Sequence, residues 1–423
     1  MSSNHPLSIH QQPLAQLASK LQKRLPENSF LINLCDNRLW FAAGLAATFG
    51  KRQITLLPPA NTPGVITELL NLFPEAIALT DREQDLPCPK LNISSLIEPV
   101  NCGRHGFGSS IPTLDLIAFT SGSTGKPQPW RKSWPMLAHC ARLALSSLGL
   151  ARQSLAVIGT TPPQHMYGLE TSVIWPLCSK LVLTDQKPFY PEDIRLAMEK
   201  SSLPVLLATT PMHLKACIDE VHRWHNLAAV VSSTAALDPE LAETFEDKTG
   251  KPLWELYGST ETQSFAYRRP AREPLWRLYP GTTLQQRGMV FSLRAPWLPK
   301  PFELADAFKL CGEGKFQVVG RRSDLVKIAG KRISLAELNL HLARIDGVQD
   351  GCFYQTNYQR LGALVVTSRP KAEILTALRQ VIDEVFLPRP LYQVEKIPRN
   401  ATGKLVKSEL EKLLATLSPS NLL

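Results

Sequence analysis

Between Leu116 and Pro127 an apolar run, Leu116-Ile117-Ala118-Phe119, opens into Thr120-Ser121-Gly122-Ser123-Thr124-Gly125-Lys126 and then meets Pro127. These residue types suit an anion, phosphate above all. Glycine lets successive backbone N–H groups turn toward one point with no Cβ in the way. The hydroxyls of Thr120, Ser121, Ser123 and Thr124 add neutral donors, and Lys126 adds a charge. The spacing differs from a Walker A loop, which places four residues between its first glycine and G-K-[ST]. Here two residues separate Gly122 from Gly125, and proline follows Lys126. By composition alone a plain surface turn is the simpler reading, and the rest of the chain decides between them.

The elements around this loop point to a layered α/β fold. Residues 30–35, 53–57 and 76–79 read as strands, and 37–49 and 65–73 as helices. Beyond the loop the pattern predicts a helix over 134–150, strands at 155–159, 181–183, 205–208 and 228–232, and a helix over 239–249. Apolar strands alternating with helices argue for a parallel sheet covered on both faces. Ligands in such sheets sit at the carboxyl ends of the strands. The Thr/Ser/Gly-rich stretches 120–126, 160–168, 232–236 and 257–261 all fall at those ends. From Gly320 onward, helices at 335–344, 372–385 and 408–417 mix with strands at 351–354 and 363–367. Two domains are expected: a large one over 1–320 and a small α+β one over 321–423.

Bulk properties bound the function classes. A chain of 423 residues exceeds one ordinary core, and 44% hydrophobic content supports a folded protein. The 34 prolines are scattered, as stops between elements rather than a disordered tract. A net charge of +10 is compatible with an acidic partner or with a solvated basic surface. The segment 321–423 holds 16 lysines and arginines against 10 acids, so more than half of that excess lies there. No dense basic block or aromatic RNA-binding motif argues for nucleic acid. The 8 cysteines are dispersed, without C-x-x-C or zinc-type spacing, and are expected to be reduced thiols of a cytoplasmic protein. Residues 1–29 lack a secretory pattern, and the apolar run 39–49 is too short to cross a bilayer, so no membrane insertion is expected.

Four stretches together resemble the adenylate-forming superfamily of acyl- and aryl-CoA ligases, adenylation domains and luciferases. They are the loop T-S-G-S-T-G-K-P, Tyr257-Gly258-Ser259-Thr260-Glu261, the segment from Gly320 to Ile333, and Pro398-Arg399-Asn400-Ala401-Thr402-Gly403-Lys404. Their order and approximate spacing also match. The resemblance implies a two-step reaction: a carboxylate attacks the α-phosphate of ATP, then a thiol displaces AMP. It implies ATP and Mg²⁺, with Thr120, Ser121, Gly122, Ser123, Thr124, Gly125 and Lys126 around the β- and γ-phosphates. Thr260 would bond the α-phosphate, Glu261 would hold the metal, and Tyr257 with Gly258 would border the adenine. Asp306 and Arg321 are expected at the ribose, although the family's T-G-D is here Leu304-Ala305-Asp306. Lys404 is the expected adenylation lysine. The loop at Gly330 would enter for the second step, through a swing about a hinge occupied here by Ser323.

Other positions bear on the acid. His165, in P-P-Q-H-M-Y-G, resembles the family's gate beside the carboxylate. Ser233, Thr234 and Ala235, where the family has S-G-G-A-P, and Ser259 would line the acyl pocket. Side chains at Ser233 and Thr234 would narrow it, which suits a small or flat acid. Gln128 replaces the family's lysine after proline, with Lys126, Arg131 and Lys132 nearby. The compact form resembles the ligases of aryl-polyene and xanthomonadin-type pigments, which load 4-hydroxybenzoate onto acyl carrier protein. A basic small domain suits an acidic carrier, and suits the phosphates of CoA nearly as well. Two other readings are compatible with the same residues: a ligase using free CoA, and a non-catalytic member that only binds nucleotide or acid.

Overall fold

A computed structural model describes residues 14–26, 30–48, 53–95, 115–121, 127–321, 324–328, 331–356, 360–399, 403 and 405–417. The chain packs as two compact units. One comprises Met1–Ser233, Pro239–Thr283 and Arg294–Pro301; the other comprises Thr234–Asp238, Leu284–Leu293 and Phe302–Leu423.

The first unit opens with helix α1 (Leu14–Gln22), strand β1 (Phe30–Asn33), helix α2 (Arg38–Ala47), β2 (Ile54–Leu57), α3 (Pro63–Leu72), β3 (Ile77–Thr80) and β4 (Lys90–Asn92). Strands β5 (Asp115–Ser121) and β6 (Pro127–Ser133) complete a six-stranded sheet in the order β4-β3-β1-β2-β5-β6. All its pairings are parallel except β5 with β6. Helix α2 begins where sequence places it because the Asn37 side chain accepts from the N–H groups of Leu39 and Trp40, satisfying two donors of the first turn. Ile32, Leu34, Leu56, Ile66, Leu69, Ala78 and Phe119 close one core of this sheet.

After helix α4 (Trp134–Ser147) comes a second sheet. Its strands are β7 (Ala156–Gly159), β8 (Val182–Leu183), β9 (Val205–Thr209), β10 (Leu227–Ser232), β11 (Leu253–Ser259), β12 (Gln263–Arg268) and β13 (Trp276–Leu278). Within this unit they run in the order β13-β12-β11-β10-β9-β7-β8. The block β11-β10-β9-β7-β8 is parallel, and β12 and β13 are added antiparallel. Strands β7 and β9 are buried at every position, which is why they read as unbroken apolar runs. Helices α5 (Met166–Leu169) and α6 (Trp175–Cys178) are joined by one π turn, Glu170–Ile174. Helices α7 (Pro191–Glu199), α8 (Pro211–Cys217) and α9 (Pro239–Thr249) cover the remaining connections. Each starts with proline, whose missing N–H costs nothing at a first turn.

A fully buried arginine locks α2 to the end of β7. Arg38 donates to Ser172 Oγ at 2.9 Å and to the carbonyls of Gly159 at 2.6 Å, Thr161 at 2.8 Å and Gln186. Multiple acceptors make such a burial tolerable. They also fix the path of 159–161, where the chain enters the Pro162–Gly168 loop.

The second unit holds the three-stranded sheet β14 (Thr283–Arg287), β15 (Val290–Arg294) and β16 (Phe302–Leu304), and the antiparallel hairpin β17 (Asp306–Leu310) and β18 (Lys315–Arg321). Then come β19 (Leu325–Ile328), β20 (Lys331–Ser334), α10 (Leu335–Ala343), β21 (Val348–Gln355), β22 (Leu361–Thr367), α11 (Lys371–Val381), β23 (Leu391–Gln393) and α12 (Lys407–Leu417). Leu338, Leu342, Phe353, Ala363, Val365, Ile374 and Leu378 form its core. The architecture is therefore mixed α/β with parallel sheets in a large unit, plus a small α+β unit. Helix α11 ends at Val381, short of the expected 385, and a 3₁₀ turn over Glu384–Phe386 follows.

Candidate active site

The apolar run before the loop is β5, and the chain returns as β6. Thr120 pairs with Gln128, and its Oγ1 accepts from Trp130 Nε1 at 3.3 Å. Gly122, Ser123, Thr124, Gly125 and Lys126 lie outside the described residues, as does the Ser121 side chain. The structure thus gives the two strands that carry the loop. The two basic residues expected to attend the loop from β6 have other partners. Arg131 is exposed and ion-paired with Asp115 across the hairpin. Lys132 turns the other way, is 1% exposed, and donates from Nζ to the main-chain carbonyl of Glu261 at 2.6 Å.

Tyr257 to Glu261 occupy the end of β11 and the turn into β12. The turn is tight. A Cβ on Gly258 would stand 2.1 Å from the Gln263 carbonyl oxygen, so this position requires glycine. Ser259 N donates to Thr262 Oγ1 at 3.2 Å, and Thr262 N donates back to Ser259 Oγ at 3.3 Å. Trp297 Nε1 donates to the Thr262 carbonyl at 2.9 Å. The Tyr257 ring packs against Phe265 and Trp276, with centroids at 5.4 and 5.1 Å. Thr260 and Glu261 are half-buried at the tip of the turn. The Glu261 carboxylate has no hydrogen bond or ion pair among the described residues, which fits an oxygen ligand for Mg²⁺. That ion is commonly held by one or two carboxylates plus substrate phosphates. No cluster of three His, Cys, Asp or Glu among the described residues offers a protein-only metal cage.

Behind the turn lies a buried polar network that no motif or spacing announces. Glu170, on the π turn and 3% exposed, accepts from Ser264 N at 3.1 Å and from Ser264 Oγ. Cys140 Sγ on α4 donates to the Ser264 carbonyl at 3.2 Å, and Tyr279 Oη lies 3.1 Å from Ser264 Oγ. Burial pushes the Glu170 carboxyl above its ordinary range, opposed by the Ser264 hydrogen bonds and by Lys132. Burial also pulls the Lys132 ammonium down to about 8, with Glu261, Cys140 and Glu170 acting in the opposite sense. Desolvation is the largest cause on both sides; the Glu261 charge leads the opposition at Lys132, and the Ser264 hydrogen bonds lead it at Glu170.

His165 is the N-cap of α5, its Nδ1 accepting from Tyr167 N at 3.2 Å, which places the proton of a neutral ring on Nε2. Gly168, three residues on, would carry a Cβ 2.1 Å from the Pro162 carbonyl oxygen; the loop closes on itself there. Ser233 Oγ donates to the Leu256 carbonyl at 2.9 Å, so this hydroxyl is committed to β11. Thr234 holds φ at +82°, a left-handed conformation disfavoured for a β-branched residue. Ala235 is exposed.

In the second unit Asp306 begins β17 and Arg321 ends β18, and the two are paired across the hairpin. Gly330 and Lys404 lie outside the described residues. The Pro-Arg of the lysine motif is anchored: Arg399 donates to Asp350 Oδ2 at 2.8 Å and Oδ1 at 2.7 Å, and to the Gly403 carbonyl at 3.0 Å. The bidentate pair holds the segment that leads to Lys404.

Comparison with known proteins bears on the fold that carries these residues. Residues 112–287 match the family described as AMP-binding enzyme. The chain is 28% identical over 316 residues to a 4-coumarate–CoA ligase of Halorhodospira halophila, covering 69% of this chain and 75% of that protein. It is 24% identical over 377 residues to the mitochondrial malonate–CoA ligase of Mus musculus, covering 71% of this chain and 64% of that protein. Among solved structures, an anthranilate CoA ligase in complex with anthranoyl-AMP superposes with a TM-score of 0.80 at 14% identity, covering 98% of this chain and 96% of the other. ATP-bound MatB from Rhodopseudomonas palustris gives 0.78 at 17% identity, covering 96% and 93%. At such identities these likenesses show the fold.

Proposed function

We infer that this chain, which carries an AMP-binding enzyme domain over residues 112–287 and has the adenylate-forming fold, joins a carboxylic acid to AMP and passes the acyl group to a thiol. A carboxylate oxygen forms a bond to the α-phosphorus of ATP while the bond to pyrophosphate breaks. In the second step the thiol sulfur bonds to the acyl carbon, the thiol proton is released to solvent, and AMP leaves. Adenylation converts a poor leaving group, oxide, into a good one.

One observation carries the reading. Lys132, on the strand leaving the phosphate loop, is bonded at 2.6 Å to Glu261, 129 residues away in sequence. The strand that leaves the phosphate loop and the turn that carries Glu261 are therefore tied together within the first unit, which supports a shared site. The Thr120–Lys126 loop holds the β- and γ-phosphates, and Thr260 hydrogen-bonds the α-phosphate. Glu261 holds Mg²⁺, which when bound offsets the charge of the phosphates. Tyr257, braced by Phe265 and Trp276, walls the adenine, with Gly258 leaving room for close approach. Asp306 and Arg321 take the ribose hydroxyls. Lys404, delivered by a mobile segment 321–423, bridges the carboxylate and the α-phosphate. His165 borders the carboxylate, with Ser233, Thr234, Ala235 and Ser259 along the acyl pocket and Gly330 beside the incoming thiol. Orientation and fixed charge supply most of the catalysis in such a scheme.

The acid we propose is small and aromatic, with 4-hydroxybenzoate as its representative. The substituted wall at Ser233 and Thr234 supports this, as do relatives named for 4-coumarate, anthranilate and indoleacetate. The thiol we propose is the phosphopantetheine of acyl carrier protein, supported by the basic segment 321–423; free CoA is the alternative favoured by the names of the ligase relatives. Pyrophosphate exchange across a panel of carboxylic acids tests the first half-reaction. Incubation with ATP, the best acid and either CoA or holo-carrier decides the second. Folded protein that exchanges pyrophosphate with no acid would instead support a binding role.

A further inference from the structure

Lys132 is absorbed by none of the roles above, yet its burial is hard to explain as packing. An ammonium carries three donors and is strongly hydrated. Here it is 1% exposed and makes a single hydrogen bond among the described residues, to the Glu261 carbonyl. Taking such a charge out of water costs several kcal/mol unless an opposing charge compensates. Glu261, Cys140 and Glu170 oppose that cost, Glu261 most of all, and Glu170 is itself held by both donors of Ser264.

The consequence is geometric. Lys132 is the register partner of Leu116 and lies on β6, the strand that carries the phosphate loop away. Its hydrogen-bond acceptor is the main chain of Glu261, so it fixes the turn through the backbone, while the Glu261 carboxylate acts on the ammonium by charge alone. Ser264, three residues further, is fixed in turn to Glu170. Ser259 and Thr262 close the near side of the same turn. The tip bearing Thr260 and Glu261 is thus held on both flanks, and only Lys132 ties it to the phosphate-loop hairpin among the hydrogen bonds of the described residues.

We propose that Lys132 is a positioning residue: its buried ammonium sets the place of Thr260 and Glu261 relative to the β5–β6 hairpin, so that one MgATP can reach both. The proposal rests on the functional reading above and deepens it. The competing explanation is that Lys132 only neutralises Glu170.

The experiment is a double-mutant cycle on the full chain, Lys132→Met, Glu170→Gln and both together, read by thermal unfolding and by calorimetric titration with MgATP. Lys132→Met removes one of the groups that ease the burial of Glu170 and the only hydrogen bond from β6 to the Glu261 turn among the described residues, so it lowers Tm and weakens MgATP binding. Removing groups that orient metal-site residues commonly costs about 10- to 100-fold in affinity or activity. The double variant recovers most of the lost Tm but not the MgATP affinity. Recovery of both together overturns the proposal and makes Lys132 a counter-ion only. So does a folded Lys132→Met protein that binds MgATP as the wild type does. If Lys132→Met does not fold, Glu170→Gln against the double variant gives the same comparison. Wild-type protein that binds MgATP but exchanges pyrophosphate with no acid would remove the catalytic reading while leaving this one standing.

Discussion

Asp306 and Arg321 face each other across the open end of the β17–β18 hairpin, with Arg321 Nε 3.7 Å from Asp306 Oδ1. The arginine side chain is 66% exposed and the aspartate 26%, so as an ion pair they contribute at most about 1 kcal/mol. Their use is in presenting a carboxylate and a guanidinium side by side. Asp306→Asn is expected to raise the KM for ATP by about tenfold, the scale of one lost charged hydrogen bond. Tm should move by no more than about 4 °C. A large Tm loss with unchanged KM would make the pair structural.

For Lys404→Ala the expected result is loss of acyl-adenylate formation by at least about 100-fold, the scale of removing one charge-stabilising donor. Thiolation of a supplied acyl-adenylate should survive. Pyrophosphate exchange and thioester formation measured on the same preparation separate the two. Equal loss of both would count against a lysine used in one half-reaction.

Thr234 is strained at φ +82°. Glycine adopts that conformation freely, so Thr234→Gly should stabilise the protein by about 1 kcal/mol, read as a higher urea midpoint. It should also admit bulkier acids in the exchange assay. An unchanged midpoint would mean that the conformation is not costly here.

Glu170 gives a pH dependence of definite sign. Burial raises its folded-state pKa above the ordinary 4.5. Lys132 on β6, Cys140 on α4, Tyr167 on α5 and Tyr279 are titratable groups facing it. Below 4.5 the carboxyl is protonated folded and unfolded, and its contribution is complete. As pH rises, the unfolded state ionises first, and that contribution is lost through the folded-state pKa. Urea unfolding of wild type and Glu170→Gln from about pH 4 to 8 should show the wild type's relative stability falling with pH. A difference that grows with pH would reverse the assignment.

Gly258→Ala would place a methyl carbon 2.1 Å from the Gln263 carbonyl oxygen, a backbone atom that cannot swing aside. The expected cost is about 1–3 kcal/mol together with loss of pyrophosphate exchange. Wild-type unfolding and exchange would mean that the β11–β12 turn relaxes freely.

Much of this was legible because the signals were local. Buried parallel strands such as Val205–Thr209 announce themselves as apolar runs, and Asn37 announces a helix start. Strand β6 did not, because Pro127 and Pro129 look like a stop. The structure accommodates them on the edge of the six-stranded sheet, at alternate positions facing Ser121 and Phe119. Edge strands tolerate prolines whose missing N–H would have pointed to solvent. Lys132 and Glu170 were illegible for a different reason. A lysine or glutamate in sequence reads as solvated, and only tertiary packing brings β6, α4, β12 and the π turn around them. His165 shows a third case: its type and loop were recognised, but its cap of α5 depends on a local turn that residue spacing does not specify.

The turn Glu170–Ile174 accommodates one residue more than an α-helical path would, with Trp175 N–H reaching back to the Glu170 carbonyl. Deleting any residue within it would let the helix close in the ordinary way and rotate the segment before it by about 100° relative to Trp175. Glu170 would then swing off Ser264, whatever its neighbours were. The helical phase that aims this carboxylate is stored in chain length rather than in side-chain identity, so insertions and deletions, more than substitutions, are the changes this helix is least able to absorb.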